Sequence, residues 1–283
     1  MKQRWLGSVL AVLLAAGCAR VPEPPLRQGI VSLNPCTDAI LAEVADPAQI
    51  RALSAYSRDP QSSSMDTELA AHFAATSGTV EEIAALRPAL VISGNFTPPA
   101  TREALARLGI PMVEFPISRT VEESVSQVRQ IAAITGQHER GEALSRRIAA
   151  ALARAAPGDG AAVPALVWQS GGIVPGSDTL IADLLRRTGF ANAAAARGLK
   201  QADLLPLERV LADPPAVILA AGDHSGEDRM LDHPALSRLP GTERAPFNSA
   251  LLWCGGPTIV RAADRLAEVR RQVTRPASQW SRR

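Results

Sequence analysis

The chain has 283 residues, of which 46% are hydrophobic and 20% charged, and its net charge is only +2. That is enough apolar material for one large or two modest cores, so a disordered chain is excluded. The basic residues are scattered, which excludes a nucleic-acid surface.

The N-terminus reads as a targeting segment. Lys2 and Arg4 form a positive start, and Leu6 to Ala16 form an apolar run too short for a membrane span. The run ends in Leu14-Ala15-Ala16-Gly17-Cys18, which resembles a bacterial lipoprotein box with its Leu one place early. Residues 1–18 are therefore expected to be a signal peptide, with Cys18 lipidated. Residues 19–28 are Pro-rich and polar, as a tether should be.

From residue 29 short strand patterns alternate with helices. Gly29 to Leu33 is a strand, followed by a helix over Ala39 to Val44 that Thr37 or Asp38 would cap. Ile50 to Ala55, Ala89 to Ser93 and Pro111 to Phe115 are further strands. Thr79-Val80-Glu81-Glu82 and Thr120-Val121-Glu122-Glu123 are capping boxes. The second opens a helix with Val121, Val125, Val128 and Ala132 on one face, stopped by Gly136. Residues 137–156 then form a longer helix, with Leu144, Ile148 and Leu152 as its apolar stripe. At a rise of about 1.5 Å per residue it spans about 30 Å, the width of a small domain.

Beyond Pro157-Gly158-Asp159-Gly160 the alternation resumes. Ala165 to Gln169, Ala216 to Ala220 and Leu251 to Trp253 read as strands. Thr179 to Thr188, Leu207 to Leu211 and Pro257 to Val273 read as helices. Few hairpin signals separate the strands, so the sheets should be parallel and covered on both faces. The fold expected is α/β: two lobes with mostly parallel sheets joined by a single long helix. The lobes would be 29–136 and 157–275, with a tail at 276–283.

Ligands of open parallel sheets bind outside the C-terminal strand ends. The loops there carry Asn34, Tyr56, Arg58, Asn95, Trp168, Gln169 and Trp253, the candidate ligand-binding residues. Aromatics are only 4% of the chain, yet Tyr56, Trp168 and Trp253 all fall at these ends, where flat rings suit a planar ligand. Arg58 could meet an anionic one. No Walker or dinucleotide motif is present. The four histidines show no metal-ligand spacing, and only His224 lies in a cleft loop. Cys36 and Cys254 each follow a strand, one in each half. In an oxidising envelope an even pair suggests a disulfide. Yet a disulfide needs Cα atoms within about 7 Å, which an open cleft does not favour. Metal ligation or filling of small buried spaces stays open.

Taken in order, several segments resemble one family: Ile30-Val31-Ser32-Leu33-Asn34-Pro35, Ser54-Ala55-Tyr56-Ser57, Thr79 to Val91, and Pro206-Leu207-Glu208-Arg209-Val210-Leu211 ahead of Pro214-Pro215-Ala216-Val217-Ile218. The chain resembles the periplasmic substrate-binding proteins of ABC importers for ferric siderophores, haem and vitamin B12, in the helical-backbone class. The resemblance implies a monomeric, extracytoplasmic binding protein, held to the membrane by its lipid and handing its ligand to a permease with its ATPase. It implies no enzyme activity and no cofactor of its own; the ligand would be a ferric chelate or cobalamin. It also implies that Glu81 and Glu208, one early acid on a short helix in each lobe, dock onto permease arginines. The haem-binding relatives often place a Tyr where this chain has Thr76-Ser77-Gly78, which disfavours haem. The competing expectation is an exported α/β enzyme using Cys254 with His224.

Overall fold

The computed structural model describes residues 29–222 and 233–274. The expected signal peptide with Cys18, the tether at 19–28, His224 and the tail at 276–283 lie outside the described residues. The first half runs β1 (Ile30–Ser32), α1 (Pro35–Val44), β2 (Ile50–Ser54), α2 (Thr67–Ala71), β3 (Ala75–Thr76), α3 (Val80–Leu86), β4 (Leu90–Gly94), α4 (Pro99–Arg107) and β5 (Met112–Phe115). Two helices follow, α5 (Val121–Thr135) and α6 (His138–Ala155). The second half runs β6 (Val163–Gln169), β7 (Ile173–Pro175), α7 (Leu180–Arg187), β8 (Phe190–Asn192), α8 (Ala193–Ala196), β9 (Ala202–Leu204), α9 (Leu207–Ala212), β10 (Val217–Ala221), α10 (Pro234–Ser237), β11 (Glu243–Pro246) and α11 (Thr258–Val273).

Each half builds one parallel sheet, β3-β2-β1-β4-β5 in the first and β11-β10-β6-β8 in the second, and β7 pairs antiparallel with β9. The strands are covered on both faces, as their apolar runs require. In β6, Ala165 and Val167 join one core and Leu166 and Trp168 another, the period-2 alternation of a buried strand. The larger core is shared: Ile30 and Leu90 of the first sheet belong to it together with Val167 and Val217 of the second.

The helices between the sheets make that continuity. The long helix α6 joins the lobes. Arg140 near its start donates to the Ala45 carbonyl (2.7 Å), and Arg154 near its end pairs with Asp264 of α11 (3.2 Å). α5 lies beside it and spans the same junction. At one end the Val121 amide donates to Asp183 of α7 (3.0 Å), and at the other the Gln49 side chain donates to the Thr135 carbonyl (2.9 Å). Gly141 of α6 permits the close approach, since a Cβ there would collide with Ala132 of α5. Gly136 ends α5 in the left-handed region (φ 69°).

Thr79 and Thr120 cap α3 and α5 as expected, accepting from the Glu82 and Glu123 amides (3.3 and 3.2 Å). The glutamates reach past the cap residue, Glu82 to the Ser77 amide (2.7 Å) and Glu123 to the Arg119 amide (2.6 Å). Hydrogen bonds from Thr76 and Ser77 hold the Glu82 carboxyl below its ordinary range. α1 differs from the sequence expectation. Its cap is Asn34, which accepts from the Cys36 amide (2.9 Å), and Pro35 fills the first turn where no donor is needed. Cys36 is thereby lifted out of a loop and into α1. Leu251 to Trp253 is not a strand either. Leu251 closes a 3-10 turn from Ser249, and the sheet edge is taken instead by β11. Its Glu243 is exposed, so the edge carries little hydrophobic pattern.

Candidate ligand-binding cleft

Both sheets reverse their strand order at an inner strand, β1 beside β4 in the first and β6 beside β10 in the second. The loops leaving such strands diverge and open a crevice. Two chambers are found there. One, of about 1010 Å³, runs from Pro60 and Gln61 across Gln169, Ser170, Ala221 and Gly222 to Phe247, Asn248 and Trp253. The other, of about 780 Å³, is bounded by Asn95, Phe96 and Ile117 on the first lobe and by Gln169, Ile173, Leu180 and Trp253 on the second. Gln169, Ile173 and Trp253 line both, so they form the wall between the chambers.

The lining is apolar with carboxamides and little net charge. Phe96 (74% exposed), Ile117, Ile173 and Trp253 (38% exposed) present their side chains to solvent. Asn95, Gln169, Gln201 and Asn248 supply amides. The charged lining residues are Arg119, Glu123, Asp178 and Arg265, two of each sign. Arg265 is already engaged by Glu268 (2.7 Å) and the Pro246 carbonyl. No His, Cys, Met or Tyr lines either chamber among the described residues.

Of the expected ligand-binding residues, Asn95, Gln169 and Trp253 come together in the cleft. Four do not reach its lining. Trp168 is fully buried (0% exposed) against Leu166, Ala194 and Ile218, because its parity in β6 points it into the second core. Arg58 donates to the Phe73 carbonyl. Asn34 is spent on capping α1, and its amide packs against Gly94, where a Cβ would come within 2.9 Å. Tyr56 stands 62% exposed on the 3-10 turn Ala55–Arg58, outside both chambers. Phe96, Ile117 and Ile173 escaped the sequence reading. The available signal was position: Phe96 and Ile117 follow strand ends, and an exposed β-branched or aromatic residue there has no core to serve.

A buried carboxyl lies below the first-lobe loops. Asp38 Oδ2 accepts from the Ser54 amide (2.9 Å) and the Ser57 hydroxyl (2.6 Å), which fixes the turn carrying Tyr56. Burial pushes its pKa up to about 8, against the lowering effect of Ser32, Ser57 and Ser54. Its Oδ1 has no partner among the described residues. Glu81 and Glu208 are both exposed, and neither carboxylate is paired among the described residues.

Cys36 and Cys254 form a disulfide, with Cα atoms 5.0 Å apart. The expectation that an open cleft would keep them apart is overturned. Cys36 stands in the first turn of α1, where the chain returning from the second lobe passes against it at Trp253 and Cys254. The bond also removes the thiol that a Cys254–His224 nucleophile would need.

Residues 30–244 match the model of the periplasmic binding protein family. No curated protein matches the chain. Solved structures with the same fold include the periplasmic heme-binding protein RhuT from Roseiflexus sp. RS-1, 21% identical with a TM-score of 0.70, covering 88% of this chain and 99% of that one. The periplasmic vitamin B12-binding protein BtuF of Vibrio cholerae is 17% identical with a TM-score of 0.69, covering 89% and 100%. An ABC transporter substrate-binding protein from Listeria monocytogenes EGD-e is 12% identical with a TM-score of 0.64, covering 85% and 98%. The chain belongs to the periplasmic binding protein family, as an extracytoplasmic binding protein of the helical-backbone fold and not an enzyme.

Proposed function

We propose that this protein captures a corrinoid of the vitamin B12 type and delivers it to an ABC importer. The observation that carries this reading is the lining of the two chambers around Trp253. It is largely apolar with several carboxamides, and among the described lining residues the formal charges cancel and none offers an axial metal donor. Such a site recognises a chelate by shape and hydrogen bonds, with the metal already saturated. Haem with an open axial position finds no ligand among the described lining residues. A triply anionic ferric catecholate finds no net countercharge among the described lining residues, and burying unpaired charge is costly. A corrin ring rimmed by neutral carboxamides fits both conditions. The larger chamber is at the upper end of the 300–1,000 Å³ typical of small-ligand sites, which suits a ligand of that bulk. A vitamin B12-binding protein and a heme-binding protein share this fold alike, so the choice between these ligands rests on the lining. A neutral ferric hydroxamate is the second reading, favoured by the same charge balance.

Glu81 and Glu208 serve as the docking acids, one on each lobe, and Cys18 as the lipid anchor. Exposed pairs of this kind contribute up to about 1 kcal/mol each and set orientation more than affinity. The testing experiment is a panel titration with cyanocobalamin, haemin, ferrioxamine B and ferric enterobactin. Saturable binding of cyanocobalamin at micromolar concentration or below is expected. Binding confined to haemin or ferric enterobactin would overturn the assignment. In reconstituted vesicles, Glu81→Arg with Glu208→Arg should abolish uptake while leaving ligand affinity within twofold. Loss of both together would remove the docking role.

A further inference from the structure

Trp253 carries the wall between the two chambers, yet it sits in no helix or strand. What holds it comes from the other lobe. Cys254, the next residue, is bonded to Cys36 of α1, and the Cys36 sulfur lies 3.5 Å from the Trp253 carbonyl oxygen. The two residues after it are glycines pressed between first-lobe and junction helices. The Gly256 amide donates to Ser124 Oγ of α5 (2.7 Å). A Cβ at Gly255 would collide with Ser124, and one at Gly256 would come within 2.6 Å of Ile40 of α1. Gly256 also needs its positive φ of 59°. The loop is therefore wedged and bonded to first-lobe and junction helices, although its chain belongs to the second lobe.

We propose that the Cys36–Cys254 disulfide positions Trp253, fixing the partition of the cleft in the unliganded protein. Cys36 and Cys254 are positioning residues: they touch no chamber and act through the Trp253 backbone. This inference rests on the cleft being the ligand site, and it adds a dependence on oxidation state. Reduction of the S–S bond by a dithiol takes up two electrons and two protons, gives two thiols, and leaves the dithiol as its own disulfide. The wedge remains, but the covalent tie beside Trp253 is gone. Cys254 is nearly buried (4% exposed) while Cys36 is partly exposed, so attack is open from the Cys36 side.

The test compares the oxidised protein with a Cys36→Ser/Cys254→Ser double variant. Acrylamide quenching of Trp253 is read without ligand, as the difference from Trp253→Phe in each background. The quenching constant should rise at least twofold, with far-UV circular dichroism unchanged. Cyanocobalamin should bind at least tenfold more weakly, through a faster dissociation rate. Should the double variant fail to fold, the native protein reduced by tris(2-carboxyethyl)phosphine and alkylated while folded supplies the same comparison. Unchanged quenching would overturn the proposal, as would an unchanged cyanocobalamin affinity. If the oxidised protein binds no cyanocobalamin, the corrinoid reading fails, while the quenching comparison still decides the positioning role.

Discussion

The two lobes use their strand-end loops in opposite ways. In the first lobe the polar groups are turned onto the protein itself. Asn34 caps α1, Arg58 bonds the Phe73 carbonyl, and Asp38 holds Ser54 and Ser57. Asp59 is bonded by the Ser62 hydroxyl and the Gln61 amide, which lower its pKa. What the first lobe offers to the cleft is Pro60 and Gln61 in the larger chamber and Asn95, Phe96 and Ile117 in the smaller. In the second lobe Gln169, Ile173 and Trp253 line both chambers, while Asn248 lines the larger one and also caps the Ser249–Leu251 turn (2.8 Å to the Ala250 amide). The first lobe is thus a floor braced by its own hydrogen bonds, and under the proposed function the second lobe would carry most of the recognition. A candidate loop residue is worth little as a binding prediction until its hydrogen-bonding capacity inside the protein has been accounted for.

The largest effect that can break this comparison is in the first-lobe floor. Asp38 holds its proton in the folded state up to about pH 8, against an ordinary value of 3.8. Its contribution to stability is fully present below the lower value and is lost as pH rises through the higher one. Within that window the slope is about 1.4 kcal/mol per pH unit, or roughly 4 kcal/mol between about pH 5 and about pH 8. Asp38→Asn has no proton to lose, so its stability relative to the native protein should improve by that order across the window. Urea denaturation of both proteins at the two pH values measures it. Parallel pH profiles would mean that Asp38 is ionised in the fold.

On the recognition side, Trp253→Ala should weaken corrinoid binding by about 30- to 100-fold, equivalent to about 2–3 kcal/mol. Gln169→Ala should weaken it about tenfold, since a buried amide contact to ligand contributes on the order of 1 kcal/mol. Calorimetric titration of each variant checks both values, and losses larger in Asn34→Ala than in Gln169→Ala would reverse the assignment of the lobes. The smallest effect is the most discriminating against the sequence reading: Arg58→Ala should shift affinity by less than about twofold, because the guanidinium is already spent on Phe73.

Much of this was legible before the structure. The alternation of short strands and helices, the caps at Thr79 and Thr120, and the long helix ahead of Pro157 are local patterns, set by residues a few positions apart. The cleft residues divided on finer grounds. Trp168 and Gln169 are neighbours at the end of β6, and one residue of parity sends the ring into the core and the amide into the cleft. No composition signal marks where a strand ends to that precision. The disulfide was hidden for a related reason. Reading α1 from Ala39 left Cys36 in a loop, whereas the Asn34 cap and Pro35 put it in the helix, beneath the returning chain. β11 was missed because a half-exposed edge strand has no continuous apolar run. The wedge of Gly255 and Gly256 against Ser124 and Ile40 is a contact between residues more than a hundred positions apart, which no local rule reports.

The decisive measurement for corrinoid capture is calorimetric titration of the mature, oxidised protein with cyanocobalamin. One site per chain is expected, with a Kd of about 1 μM or below, corresponding to at least about 8 kcal/mol. Absence of binding to cyanocobalamin, with haemin bound in that same range, would contradict it.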